Sequence, residues 1–118
     1  MNEIVFHHVR FMGSDDKPLS HGGLTMAIRQ SEQNPTVVDV GYARCNSSDV
    51  FCRKTGRVKA QGHLIGRYDP EKNPYKFSYE FPTLTAGALE SKGGRTLVFP
   101  TLEREIERRH PKVTYGSD

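Results

Sequence analysis

The feature that most constrains the fold is a strict alternation of aromatic and polar side chains in the third quarter of the chain. It reads Tyr75, Lys76, Phe77, Ser78, Tyr79, Glu80, Phe81, Pro82. Successive side chains of a β-strand point to opposite faces, so the four aromatic rings share one face of a strand. We expect Phe77 and Tyr79 to be core. Phe81 lies at the strand end, where its ring can reach a ligand, and is the candidate for stacking on a base.

Three earlier segments also have the composition of strands. Residues 4–11, 24–28 and 36–43 are rich in β-branched and apolar side chains and are separated by turn residues. Near the end of the chain, Thr101 is a good N-cap and Pro111 stops a helix, which predicts a helix over 101–109 with Leu102 and Ile106 facing inward.

A second helix is predicted over about 48–62. Ser47, Ser48 and Asp49 are good N-caps for it. An apolar face is formed by residues that recur three and four positions apart: Phe51, Thr55, Val58, Gly62 and Ile65. Gly62 is the expected end of this helix, and Gly93-Gly94 is expected to lie in a loop.

These segments together predict an α+β fold. An antiparallel sheet of four or five strands occupies the first two-thirds of the chain, and the two helices, 48–62 and 101–109, pack on it. We expect a single domain over residues 1–118, because 118 residues support one compact core. The tail from 112 to 118 is expected to fray.

Composition adds expectations about assembly and location. The chain is only 35% hydrophobic, with a mean hydropathy of −0.65, so little apolar surface is available and a homo-oligomer is expected. The sequence contains no run of 18 apolar residues, so no transmembrane helix is expected. Its first residues lack the basic and apolar regions of a signal peptide, so none is expected. Cys45 and Cys52 are too few for a disulfide scaffold, which favours the reducing cytoplasm.

The positive charge of the chain is concentrated in one segment. The net charge is +3, yet residues 44–67 alone hold six basic side chains against the single acid Asp49. Arg53 and Arg57 sit one helical turn apart, where like charges favour a bound anion, and the arginine fork suits phosphate. The candidate phosphate ligands are therefore Arg44, Arg53, Lys54, Arg57 and Arg67, with Arg95, Arg104 and Arg108 as additional candidates. The alternative is a solvated helix face.

Metal and catalytic signatures are weak. His7 and His8 are adjacent on a strand and point to opposite faces, and Cys45 and Cys52 do not have the spacing of a zinc site. Either cysteine near a helix N-terminus could act as a nucleophile with His63, but no nucleophile elbow or Walker A motif accompanies them. We expect no catalytic residue, no metal and no cofactor.

One segment resembles a known family. The pattern runs Ala43-Arg44-Cys45-Asn46, then Asp49-x-Phe51-x-Arg53-Lys54-x-Gly56-Arg57-x-x-Ala60-x-Gly62. It resembles the phage anti-Thoeris sponge family, about a fifth of the chain being covered. The resemblance implies a phage counter-defence protein in the host cytoplasm, an oligomer of sheet and helix that sequesters cyclic ADP-ribose-type signals.

Three functions follow from these observations. The first is a non-catalytic sponge that holds a phosphate-bearing, cyclic nucleotide in an arginine-rich pocket. The second is a nucleic-acid-binding protein, or an inhibitor that occupies a nucleic-acid site of a host defence complex. The third is a small enzyme acting on nucleotides. A nucleic-acid binder needs a long track of positive charge, and the concentration of this charge within residues 44–67 slightly favours the compact ligand of a sponge.

Overall fold

The computed structural model describes residues 3–11, 13–17 and 19–109, without the side chains of 46–48. The predicted frayed tail, 112–118, lies outside these residues, and the single domain over 1–118 stays a prediction. Along the chain the structure contains β1 (Val5–Val9), β2 (His21–Gln30), β3 (Val37–Val50), α1 (Arg53–Ile65), β4 (Lys76–Glu80), a 3-10 turn (Ala88–Glu90) and α2 (Lys92–Arg109). The predicted α+β class is confirmed.

The sheet is an antiparallel meander with the strand order β1-β2-β3-β4. Val5 pairs with Ile28, Ile28 with Val40, and Val40 with Phe77, so one row of side chains crosses the whole sheet. Because side chains alternate along each strand, this register assigns every strand residue to one of two faces. A helix lies on each face.

The α2 face carries the larger core. The four alternating aromatic side chains lie on it: Phe77 and Phe81 are buried there, and Tyr75 and Tyr79 pack against them. Tyr42 is fully buried beneath this face, and burial raises the pKa of its hydroxyl to about 12. From α2 the inward residues include Leu102 and Ile106, as the sequence predicted.

The α1 face carries a thinner core of small side chains. Ala27 and Ala43 of the sheet contact Ala60 and Leu64 of the helix. At the point of closest approach the sheet residue is Gly41, where a Cβ would overlap the backbone of Ala60 and Leu64. Only glycine lets the helix come this near, so α1 is positioned by backbone proximity rather than by bulky side chains.

The bounds of α1 correct the prediction of 48–62. The segment up to Val50 remains in β3, because Cys45 pairs with Gly23 and Val50 with His21 around an irregularity in the ladder. The helix therefore begins at Arg53 after the N-cap Cys52. It continues through Gly62 to Ile65, where Gly66 caps it.

The buried face of α1 was also predicted wrongly. Val58 and Ile65 were expected to face the core, yet they are 67% and 61% exposed. Ala60 and Leu64 are buried instead, and Gly56 lies directly over Thr25. Because α1 lies so close to the sheet at Gly41, the side of the helix that faces the sheet has room mainly for small residues, and the branched Val58 and Ile65 lie on the outer side.

The second helix is longer than predicted. It begins at Lys92 instead of Thr101, so Gly93 and Gly94 lie in its first turn rather than in a loop. The Ser91 hydroxyl accepts a hydrogen bond from the Gly94 amide at 3.1 Å, a capping interaction that starts the helix early. Pro100 is accommodated inside it. Within the described residues, neither helix has the length and apolarity needed to cross a bilayer.

Candidate functional site

Helix α1 is a cationic helix with no internal compensation. Arg53, Lys54, Arg57 and Lys59 are exposed along it, and it contains no acidic residue, even in the first turn where carboxylates are favoured. Within the residues that the structure describes, none of these four side chains takes part in an ion pair. The dipole of the helix adds positive potential at its amino-terminal end, so this end attracts anions.

One flank of α1 faces the edge strand β1. His8 lies there with its Nδ1 2.9 Å from the Thr25 hydroxyl. Burial, and then the positive charges of Arg53 and Arg57, lower the pKa of His8. Both arginines therefore act on the same flank, as their one-turn spacing predicted.

Arg10 extends this basic flank beyond the helix. Its guanidinium lies 5.9 Å from the centre of the Phe51 ring, and its Nη2 donates to the Leu19 carbonyl at 2.7 Å. Within the described part of the chain its buried Nε has no hydrogen-bond partner. Arg10 was not predicted as a site residue because it is distant from the basic segment in the chain; only the pairing of β1 with β2 brings it beside Phe51.

The other flank of α1 borders a cleft of about 300 Å³ between the end of β3 and the first two turns of the helix, here called the thiol cleft. Its lining includes Cys45, Phe51, Cys52, Thr55 and Lys59. Cys45 donates weakly to the Asp49 and Val50 carbonyls at 3.4 and 3.5 Å. Hydrogen bonds from Thr55 lower the pKa of the exposed Cys52 thiol.

Arg44 does not join the arginines of α1. The register places it in the row of Val9 and Leu24, on the α2 face of the sheet. It lines a second cleft of about 450 Å³, together with Arg104. It also lines the thiol cleft. Glu103 and Glu107 line the second cleft as well, so its charge is mixed rather than basic.

The remaining basic candidates are dispersed. Arg67 is exposed beyond the carboxyl end of α1, which is about 20 Å long at 1.5 Å per residue. Arg95 donates its Nε to the Leu89 carbonyl at 2.6 Å and so joins α2 to the 3-10 turn. Arg108 pairs with Glu105 at 2.5 Å. The structure therefore brings Arg53, Lys54 and Arg57 together on α1 and places Arg67, Arg95 and Arg108 elsewhere.

Phe81, the predicted stacking residue, lies in the core. It is 7% exposed, and its ring centre is 4.9 Å from that of Tyr79, which is the less buried of the two. The strand end does not turn its ring outward, because the Phe81 amide still donates to the Thr36 carbonyl at 2.7 Å. Little of this ring is available to a base.

No cluster suited to a metal ion, with three or more His, Cys, Asp or Glu side chains, is present among the described residues. His63 donates its Nδ1–H to the Tyr42 carbonyl at 2.8 Å, and its ring centre lies 4.9 Å from that of Tyr75, so it is engaged with the sheet. No family model matches the chain, and no curated protein or solved structure shows significant similarity to it.

Proposed function

We propose that this protein binds nucleic acid without catalysing a reaction, through the basic surface of α1 and Arg10. The observation that carries the proposal is the unpaired charge of α1, which has four exposed cations and no acidic side chain. Repulsion between like charges one turn apart destabilises such a helix by a few tenths of a kcal/mol per pair unless an anion neutralises them. Phosphate groups are the anions that arginine forks fit best.

The arrangement of the cations favours an extended polyanion over a compact ligand. The four cations of α1 lie between Arg53 and Lys59, over about 9 Å of the helix axis. Arg10 near the amino-terminal end and Arg67 beyond the carboxyl end extend the basic surface past the helix length of about 20 Å. A duplex presents one phosphate per 3.4 Å on each strand, so this length matches roughly six phosphates of one strand. A compact nucleotide would engage only a part of the track.

The thiol cleft favours a second candidate function, sequestration of a small phosphate-bearing nucleotide. Its volume of about 300 Å³ is at the lower end for ligand pockets, and it offers Lys59 for a phosphate and Phe51 for a ring. The counter-defence role and the host cytoplasm implied by the resemblance stay predictions, as does a homo-oligomer.

Fluorescence-anisotropy titrations test the two candidates. The wild-type protein is titrated with a labelled 20-base-pair DNA duplex, a single strand and a double-stranded RNA, each at several salt concentrations, and by calorimetry with cyclic and linear nucleotides. The key variant is Arg53→Ala with Arg57→Ala. We expect its affinity for nucleic acid to fall at least about tenfold, and the salt slope to drop by about two, because each substitution removes one phosphate-binding cation.

The matched control is Arg104→Ala with Arg108→Ala, which removes the same charge from α2, where Arg108 is already paired. It should bind nucleic acid within about twofold of wild type under the same salt conditions. Equal losses in the two double variants would mean that only net charge matters and would contradict a site on α1. Tight binding of a nucleotide with no binding of any nucleic acid would favour the second candidate.

A further inference from the structure

We propose that α1 is a reading helix, which inserts an outward stripe of four side chains, Lys54, Val58, Gln61 and Ile65, into the major groove of DNA. This inference rests on the proposed nucleic-acid function and narrows it to one form of nucleic acid and one groove. It assigns a role to the exposed apolar residues that the core does not use.

The orientation of α1 defines the stripe. Gly56, Ala60 and Leu64 face the sheet. At about 100° per residue, the four stripe residues lie roughly 100° to 160° around the helix from Ala60, so they point away from the sheet, nearer to Arg57 than to Lys59. Gln61 and Lys54 are exposed there, and a Cβ added at Gly62 would meet nothing within 4 Å. The helix therefore presents an unobstructed outer surface along its length.

The chemistry of the stripe is that of base recognition rather than of phosphate binding alone. Val58 and Ile65 are 67% and 61% exposed, on the same side of the helix as Lys54 and Gln61. In the major groove, such side chains contact the methyl group of thymine. Gln61 can bind adenine through two hydrogen bonds, and Lys54 can donate to guanine.

Cations stand on opposite flanks of the helix. Arg57 and Lys59 are two positions apart, so at about 100° per residue they project to opposite sides of α1. Arg57 lowers the pKa of His8 in β1, and Lys59 lines the thiol cleft on the flank of β3. A helix of 10–12 Å diameter fills a B-DNA major groove about 12 Å wide, and phosphates then run along both of its sides. The two flanking cations match these two rows of phosphates.

The same observations disfavour other occupants. In a second copy of this chain packed through α1, two helices without any acidic residue would face each other, and their cations would repel. Double-stranded RNA has a major groove too deep and narrow for side chains to read. Duplex DNA satisfies both the charge and the width.

Selection from a randomised duplex pool tests the inference, followed by titration of the selected duplex and a scrambled one of the same composition. We expect wild type to prefer the selected duplex at least about tenfold. Gln61→Ala should reduce this preference by roughly 5- to 150-fold, or to none, because a bidentate contact is worth about that much discrimination. Lys59→Ala should weaken binding to both duplexes equally and lower the salt slope by about one. Both residues are exposed, and circular dichroism checks that the variants fold.

Methylation of guanine N7, which lies in the major groove, should block binding of the selected duplex, whereas a minor-groove ligand should not compete. Binding of all duplexes with equal affinity, or blocking by the minor-groove ligand alone, would overturn the reading helix and leave the proposed function intact. Tighter binding of double-stranded RNA would do the same. Absence of binding to every nucleic acid, with or without capture of an acidic protein, would overturn both proposals.

Discussion

The two helices lie on opposite faces of one sheet and are built in opposite ways. On α2, Glu105 pairs with Arg108 and Arg109 at 2.5 and 3.2 Å, and the large side chains Val98 and Leu102 are buried. On α1, no acidic residue is present and the buried side chains are Ala60 and Leu64. Large buried residues and compensated charge are typical of a structural helix, whereas small buried residues and unpaired charge leave the outer side of a helix free to bind.

The largest effect expected from this difference is on stability at α2. Leu102→Ala should lower the free energy of unfolding by about 2–5 kcal/mol, the range for a fully buried leucine. Leu97→Ala is the control, because Leu97 is 52% exposed on the same helix and its truncation should cost little. Urea denaturation measures both. Equal costs would contradict the assigned inner face of α2.

Two glycine variants test the close packing of α1 and should change stability in opposite directions. Gly41→Ala places a methyl group against the backbone of Ala60 and Leu64 and should cost about 1–3 kcal/mol. Gly62→Ala meets open space within the helix and should stabilise the protein by about 0.5–1 kcal/mol. Both are measured by urea denaturation, and destabilisation by Gly62→Ala would show that the outer side of α1 is covered.

The smallest expected effect is a dependence on pH at His8. Its folded-state pKa is lowered from the ordinary 6.5, by burial first and then by Arg53, Arg57 and His7. The unfolded chain therefore binds more protons between the two pKa values, so stability falls as the pH drops below about 6.5. Thermal unfolding of His8→Asn between pH 7 and pH 5 should show a smaller decrease in melting temperature than wild type.

His21→Asn is the control for this measurement, since His21 is exposed at the start of β2. In addition, the pKa of His8 followed by NMR should rise in Arg57→Gln. An unchanged value would place Arg57 away from the β1 flank and weaken the assignment of two cationic flanks.

The sequence predicted the fold class because its signals are local. The alternation from Tyr75 to Phe81 and the spacing of Leu102 and Ile106 come from large apolar side chains, whose burial contributes most of the favourable free energy. These features were confirmed on the α2 face. The basic segment was equally visible, because net charge along a chain is read directly from composition.

The residues that make up the exposed surface of α1 could not be predicted from local sequence, because they are determined by contacts between distant parts of the chain. The side of α1 that is buried is decided by Gly41, a residue outside the helix, because only the absence of its side chain lets Ala60 and Leu64 approach the sheet. The three- and four-residue spacing of Val58, Gly62 and Ile65 therefore indicated the wrong side of the helix. The register of β3 likewise separated Arg44 from Arg53, and the pairing of β1 with β2 brought in Arg10.

The sequence by itself thus determined an antiparallel sheet with two helices and a concentration of positive charge between residues 44 and 67. Tertiary structure alone decided which of those charges share a surface and which apolar residues are left exposed. The physical reason is that the burial of large apolar side chains follows their pattern along the chain. For a helix packed on glycine and alanine, by contrast, the side that faces the sheet is set by the backbone that the helix touches.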